Sequence, residues 1–180
     1  SHFKFKYVLF FEGLGVEDDL GDIFDILNST MNKNKFKYLK AIYRPHPWRK
    51  NAKLYDLSKY DNIFLDPQIA RTYKENKFKT SFQPNLNYYP SLIKNSELII
   101  SSPTTMVIES LIFWKKILLL GHNPKKLFGH HNLIVRHNHY DGVKNIEGVD
   151  VCWDLKNLEK QFISCLNRKK VNKKKIDYQR

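Results

Sequence analysis

The sequence is poor in cysteine and lacks any long apolar run. Two cysteines among 180 residues, Cys152 and Cys165, exclude a disulfide scaffold and have no metal-binding spacing. We therefore expect a reducing, cytoplasmic setting. The longest apolar runs, such as Ile117–Leu120, fall far short of the roughly 20 residues that a membrane-spanning helix needs. No signal-peptide pattern opens the chain.

Acidic residues are also scarce relative to basic ones. Eighteen Asp and Glu against 31 Lys and Arg give a formal net charge of +13. This balance favours anionic partners such as nucleotide phosphates, nucleic acid or anionic lipid. Part of the excess is terminal, so we expect one domain over 3–167 followed by a basic tail over 168–180. With 42% hydrophobic residues, a domain of this size can bury a core.

Apolar runs alternate with segments of helical periodicity along the chain. Strands are predicted over 5–11, 38–43, 62–65, 97–100, 117–120 and 149–153, and helices over 18–31, 88–94, 104–114 and 155–166. Nearly all-apolar strands separated by helices predict an α/β, Rossmann-like parallel sheet with helices on both faces. Ligands bind such sheets beyond the carboxyl ends of the strands, near the topological switch point.

The turn after the fourth predicted strand carries the strongest functional signal. Its sequence is Ser101-Ser102-Pro103-Thr104-Thr105, with Ser102 predicted as the N-cap of a helix and Pro103 at its first position. A helix start presents free N–H groups, and the four hydroxyls of this turn add donors. Together they predict a phosphate site. Plain helix capping is the alternative.

Glu109 lies within the apolar helix that follows this turn. We expect that helix to be largely buried, and a buried carboxylate is costly without a partner. Near the strand ends, the Glu109 carboxylate would accept hydrogen bonds from two sugar hydroxyls. A structural ion pair, or a partly exposed side chain, is the alternative.

Two further turns follow predicted strands. In Arg44–Pro47 the prolines stiffen the loop, so that His46 is well mounted to donate to a phosphate or to protonate a leaving group. Arg44 would add positive charge there, and a surface histidine is the alternative.

In Glu12–Gly15, Gly13 allows the backbone to approach a ligand, although neither a dinucleotide fingerprint nor a P-loop is complete.

Four histidines near residue 135 invite a metal interpretation. His130-His131 and His137-x-His139 do not match the spacing of structural zinc sites, and both cysteines are distant. We therefore expect no metal site.

These motifs together resemble the C-terminal, donor-binding half of GT-B glycosyltransferases. One motif is a His-Pro that follows a strand, and the other is a strand that leads through Ser-Ser-x-Thr-Thr into a helix with Glu and then a further strand. These motifs are most similar to those of bacterial sialyl-, polysialyl- and Kdo-type transferases that use CMP-activated sugars. The acidic motif of sialyltransferases is incomplete, because Phe11 occupies its first acidic position, so we assign no catalytic base. Trp114-Lys115-Lys116 also stands where many GT-B domains have Gly-x-Pro.

The resemblance implies a role for each turn. The nucleotide phosphate would be bound by His46 and Ser101–Ser102, with Thr104 and Thr105 nearby. Glu109 would bind the ribose, and the turn that contains Gly13 would face the phosphates. His46 would act on the leaving phosphate, and the nucleotide-activated sugar would be a substrate, with no separate cofactor.

The resemblance also implies a larger enzyme, because a GT-B glycosyltransferase has two such domains. We expect a separate N-terminal acceptor domain as partner, and an isolated chain that binds a nucleotide weakly and turns nothing over. The expected role is metal-independent sugar transfer in surface glycan synthesis, in the cytoplasm or peripheral to the inner face of the membrane.

Three other functions stay open from the sequence. Sugar-nucleotide 2-epimerases and the glycerophosphotransferases of teichoic acid synthesis use similar loops on the same fold. A non-enzymatic basic module for nucleic acid or membrane surfaces would also suit the charge. We expect no specific nucleic acid, because no nucleic-acid-binding motif is present.

Overall fold

The computed structural model describes residues 3–13, 19–46, 55–74, 87–123, 130–136, 140 and 142–169. The strands of the described chain are β1 (Lys6–Phe11), β2 (Leu39–Arg44), β3 (Ile63–Leu65), β4 (Leu98–Ser101), β5 (Ile117–Leu120) and β6 (Val149–Cys152). Its α-helices are α1 (Leu20–Asn32), α2 (Pro67–Lys74), α3 (Tyr89–Asn95), α4 (Thr105–Ile112), α5 (His130–Arg136) and α6 (Leu158–Asn167). Within these ranges, no helix has the length and apolar character to cross a membrane.

The strands form one six-stranded sheet in the order β3-β2-β1-β4-β5-β6. Every neighbouring pair is parallel, and Phe11 at the end of β1 lies beside Arg44 of β2 and Ser101 of β4. The direction of strand succession reverses between β1 and β4, which makes their carboxyl ends the topological switch point. The predicted Rossmann-like parallel sheet is confirmed.

Both faces of the sheet are covered, which explains why its strands are nearly all apolar. Val8 and Phe10 of β1 point to one face, where they join a buried cluster with residues of α1 and α6. Leu9 points to the other face and packs in a second cluster with residues of α3 and with Val107 of α4. Burial of each such Leu or Phe contributes roughly 1.5–3 kcal/mol.

The helices depart from the sequence prediction in three places. The helices α2 and α5 were not predicted, and α4 is shorter than the predicted segment 104–114. The expectation that α4 is largely buried is wrong, because Ile108 and Ile112 are 47% and 69% exposed. These two side chains lie four positions apart, on one outward face of the helix. Most of the predicted basic tail, from residue 170 on, lies outside the described residues.

Candidate functional site

The carboxyl ends of β2, β1 and β4 are joined by backbone hydrogen bonds that continue past the strands. The N–H of Glu12 donates to the carbonyl of Arg44 at 3.0 Å, and the N–H of Ser102 donates to the carbonyl of Phe11 at 3.3 Å. We call the residues that follow these strand ends, 12–13, 45–46 and 102–104, the switch-point turns. The three turns predicted to carry chemistry therefore lie side by side at one edge of the sheet.

Gly13 makes the closest approach between two of these turns. A Cβ on Gly13 would lie 2.4 Å from Cβ of Ser102 and 3.3 Å from Cγ2 of Thr104. Any other residue would force the turn after β1 away from the turn after β4. The predicted freedom of a glycine is thus needed here for packing against Ser102, whatever ligand binds.

The start of α4 differs from the predicted N-cap. Ser102 was predicted as the cap, but its N–H still bonds to β1, so the chain turns into the helix only two residues later. Thr104 is the N-cap, with extended backbone angles (φ −142°, ψ 163°). Pro103 accordingly precedes the helix instead of opening it.

Thr104 does not cap α4 with its side chain, because its hydroxyl makes no hydrogen bond to the first turn within the described structure. That hydroxyl lies 3.4 Å from Oγ of Ser101, which itself donates to the carbonyl of Ser102 at 2.7 Å. Thr105, the first helical residue, is exposed. The hydroxyl of Thr104 therefore does not cap the helix, and the predicted phosphate site at this helix start stays a prediction.

Ser102 is the most informative side chain of the turn. Its hydroxyl is fully buried and has no hydrogen-bond partner among the residues that the structure describes. Leaving a buried hydroxyl unbonded costs about 1–3 kcal/mol, and such groups are rare in native proteins. An unbonded hydroxyl beside an uncapped helix start is the arrangement expected where a ligand supplies the missing acceptor.

His46 is tied to the end of β1. Its backbone N–H donates to Oε2 of Glu12 at 3.2 Å, and the side chain is half-buried. Since Glu12 is followed directly by Gly13, the residue that binds the N–H of His46 is next to the residue that contacts Ser102. The structure brings together the segments that carry His46, Gly13 and Ser102.

Arg44 is engaged elsewhere in the described structure. Its guanidinium forms a buried ion pair with Asp66 and donates to the side chain of Gln68 at 3.0 Å. It also lies 5.8 Å from the ring centre of Tyr89. Arg44 therefore fixes the end of β2 to the start of α2, and its predicted role at a phosphate stays a prediction.

Glu109 is half-buried on α4 and, within the described part of the chain, has no hydrogen bond or ion pair. Loss of solvent raises the pKa of its carboxyl group above the ordinary value. The structural ion pair offered as the alternative is thus not formed among these residues. Glu109 lies about one helical turn after the start of α4, and its predicted role as a ribose ligand stays a prediction.

Sequence reasoning missed a buried acid–histidine pair near the same edge. Asp19 precedes α1 and His122 follows β5, and Nε2 of His122 lies 3.2 Å from Oδ2 of Asp19. Burial lowers the pKa of His122, whereas Asp19 acts in the opposite direction. No local pattern marks this pair, because the two residues are 103 positions apart.

The histidines considered as metal ligands cannot be placed. The side chains of His130 and His131, together with all of His137 and His139, lie outside the described residues. In the remainder of the chain, no three His, Cys, Asp or Glu side chains are grouped so as to hold a metal ion.

Comparison with solved structures gives matches that span nearly the whole chain. The UDP-GlcNAc 2-epimerase of Methanocaldococcus jannaschii, in complex with UDP-GlcNAc and UDP, matches 92% of this chain with a TM-score of 0.53 and 18% identity. S. aureus MnaA, in a co-structure with UDP, matches 91% with a TM-score of 0.51 and 13% identity. No protein-family model and no curated protein sequence matches the chain.

These likenesses establish the fold class. The chain has a Rossmann-like α/β fold of the GT-B-like type, and at this level of identity the likeness shows the fold alone. It spans only 40% and 37% of the two matched chains. The finer resemblance to sialyl-type transferases stays a prediction.

Proposed function

We propose that this chain is a nucleotide-sugar-binding domain whose phosphate site is formed by the switch-point turns. The observation that supports it most strongly is the buried, unbonded hydroxyl of Ser102 at the uncapped start of α4. Phosphate oxygens are strong acceptors, and a helix start supplies N–H donors together with a favourable dipole. A phosphate group would therefore satisfy both unmet features at once.

Each neighbouring residue has a role in this proposal. Thr104 and Thr105 add hydroxyl donors, and Gly13 keeps the turn after β1 close enough for its backbone to face the phosphates. His46 donates to a phosphate oxygen and stabilises the negative charge that develops on the leaving nucleotide. Glu109 accepts hydrogen bonds from the ribose hydroxyls, which gives its carboxylate partners that the described residues do not supply.

The reaction proposed first is sugar transfer from a nucleotide-activated donor, CMP-linked by the sequence resemblance, in surface glycan synthesis. A second candidate is a sugar-nucleotide 2-epimerase, because a matched structure is a UDP-GlcNAc 2-epimerase. In both cases the proposed partner is a second domain that faces the switch-point turns, since this chain spans less than half of either matched chain. On its own, the chain is proposed to bind nucleotide without turnover.

Isothermal calorimetry with CMP, UDP and CDP-glycerol separates these candidates on the intact 180-residue chain. Tightest binding of CMP supports a CMP-sugar transferase, tightest binding of UDP supports the epimerase-like reaction, and tightest binding of CDP-glycerol supports glycerophosphate transfer. Absence of binding to all three at millimolar concentration contradicts a nucleotide site.

His46→Ala tests the assignment of the phosphate-facing histidine. We expect nucleotide to raise the melting temperature of this variant much less than that of the wild type, because bound ligand stabilises only the folded state and the variant binds it more weakly. The measurement is a thermal melt with and without nucleotide. The nucleotide concentration should be roughly 5 mM, so that it exceeds the dissociation constant of a weak site on the order of tenfold or more. Lys144→Ala is the control. Lys144 is exposed and precedes β6, so it lies at the amino ends of the strands, away from the switch-point turns. An unchanged nucleotide response in His46→Ala contradicts the assignment.

A further inference from the structure

Glu12 is a buried carboxylate at the centre of the switch-point turns. Only 2% of its surface is exposed, although it directly follows the last residue of β1. A carboxylate in such a place is tolerated only when hydrogen bonds replace its lost water. What donates to it therefore indicates what it does.

Two donors from the neighbouring strand and its turn converge on one oxygen of Glu12. The hydroxyl of Tyr43 donates to Oε2 at 2.5 Å, and the backbone N–H of His46 donates to the same oxygen at 3.2 Å. In addition, the N–H of Glu12 donates to the carbonyl of Arg44 at 3.0 Å. A single residue thus holds the chain from 43 to 46 at three points.

The other side of the same short segment contacts the phosphate turn. Gly13, the next residue, packs so closely on Ser102 that an added Cβ would lie 2.4 Å from Cβ of Ser102. Glu12 and Gly13 therefore connect His46 to Ser102, just before α4. A shift of Glu12 would change the position of His46 relative to Ser102 without altering either residue.

We propose that Glu12 is a positioning residue, which fixes the backbone of His46 over the anion site through Oε2. The proposal rests on the proposed nucleotide-binding function and goes beyond it, since Glu12 acts through His46 and not on the ligand. Both donors share the one accepting oxygen, Oε2. Glutamine, whose amide oxygen can accept both hydrogen bonds, should replace it.

The test compares Glu12→Ala and Glu12→Gln, each in the wild-type and His46→Ala backgrounds, by calorimetry with CMP and UDP. We expect Glu12→Ala to weaken nucleotide binding on the order of tenfold, as for the loss of hydrogen bonds that hold a binding residue in place. Glu12→Gln should stay within about threefold of the wild type. In the His46→Ala background, Glu12→Ala should have little further effect, because the residue that it positions is already absent.

Tyr43→Phe covers the case in which Glu12→Ala does not fold. It removes one donor from Oε2 and should weaken binding by about threefold to tenfold, again only while His46 is present. Tyr60→Phe is the matched control: its hydroxyl donates at 2.8 Å to Asp25, away from the switch-point turns, and its loss should leave affinity unchanged.

The outcomes separate this proposal from the function on which it rests. Failure of the wild type to bind either nucleotide overturns the proposed function, and the positioning role with it. Wild-type binding with equal losses in Glu12→Gln and Glu12→Ala, or with losses that add fully to that of His46→Ala, overturns the positioning role alone. Rescue by glutamine together with non-additivity supports it.

Discussion

At the scale of single residues, we expect substitution of Ser102 to affect stability and nucleotide binding in opposite ways. Its buried hydroxyl gains nothing from the described protein, so Ser102→Ala should leave the free energy of unfolding unchanged or raise it by up to about 1 kcal/mol. Nucleotide affinity should fall on the order of tenfold, because in the proposed site the hydroxyl donates to the phosphate. Urea denaturation and calorimetry on the same samples measure the two quantities.

Ser96→Ala provides the matched control for that substitution. Ser96 is also buried, but its hydroxyl donates at 2.8 Å to the carbonyl of Ile93, at the amino end of β4. Its removal should cost about 1 kcal/mol of stability with no change in affinity. If Ser102→Ala instead destabilises the protein as much as Ser96→Ala and binds nucleotide normally, Ser102 has a structural role only.

Glu109 should give the stability a distinct dependence on pH. Burial raises the pKa of its carboxyl group in the folded chain above the ordinary 4.5. The folded state therefore retains this proton at a pH where the unfolded chain has lost it, so the contribution of Glu109 to stability decreases as pH rises above about 4.5. Glu109→Gln should thus raise the melting temperature at pH 8 more than at pH 4. An equal effect at both values contradicts an unpaired Glu109.

At the scale of secondary-structure elements, Asp66 joins β2, α2 and the turn before α3. It accepts from the N–H of Gln68 at 2.8 Å and from the hydroxyl of Tyr88 at 3.1 Å, and it pairs with Arg44. Asp66→Asn removes one partner of a buried ion pair, which should cost about 3 kcal/mol by urea denaturation. A cost below about 1 kcal/mol would mean that the pair contributes little at this edge.

The same elements show what local sequence determines. Buried strands such as β5 were predicted to the residue, because an apolar run needs only local patterning to be recognised. The start of α2 also had a local signal, an N-cap aspartate followed by Pro67, that was overlooked. The cap of α4 was mispredicted because a sheet hydrogen bond from Ser102 delays the turn, and that bond depends on tertiary structure.

The candidate site was predictable only in part for the same reason. His46, Gly13 and Ser102 follow strands, so a parallel sheet places them at one edge whatever its strand order. The contacts of Glu12 and the pairing of Asp19 with His122 join residues 31 to 103 positions apart. These contacts depend on which strands are neighbours, and local pattern does not specify that order.

At the scale of the whole molecule, the fold and the net charge predict anion binding at different surfaces. The switch-point turns offer one compact site at the sheet edge, whereas the formal charge of +13 attracts polyanions to many exposed lysines. Binding through dispersed charge falls steeply with salt, because each neutralised phosphate releases counterions. Binding at a helix start with buried hydroxyls involves few charges and should depend on salt only weakly.

The most direct measurement is a chemical-shift map of the ¹⁵N-labelled chain, titrated with UDP and with CMP. The salt concentration should be about 150 mM, where the Debye length is about 8 Å and exposed charges are screened. We expect the largest changes at the amides of Gly13 and His46 and from Ser102 to Thr105, with Lys144 and the α6 residues unmoved. Changes confined to exposed lysines and abolished by added salt, or no changes at millimolar nucleotide, would contradict a phosphate site at the switch point.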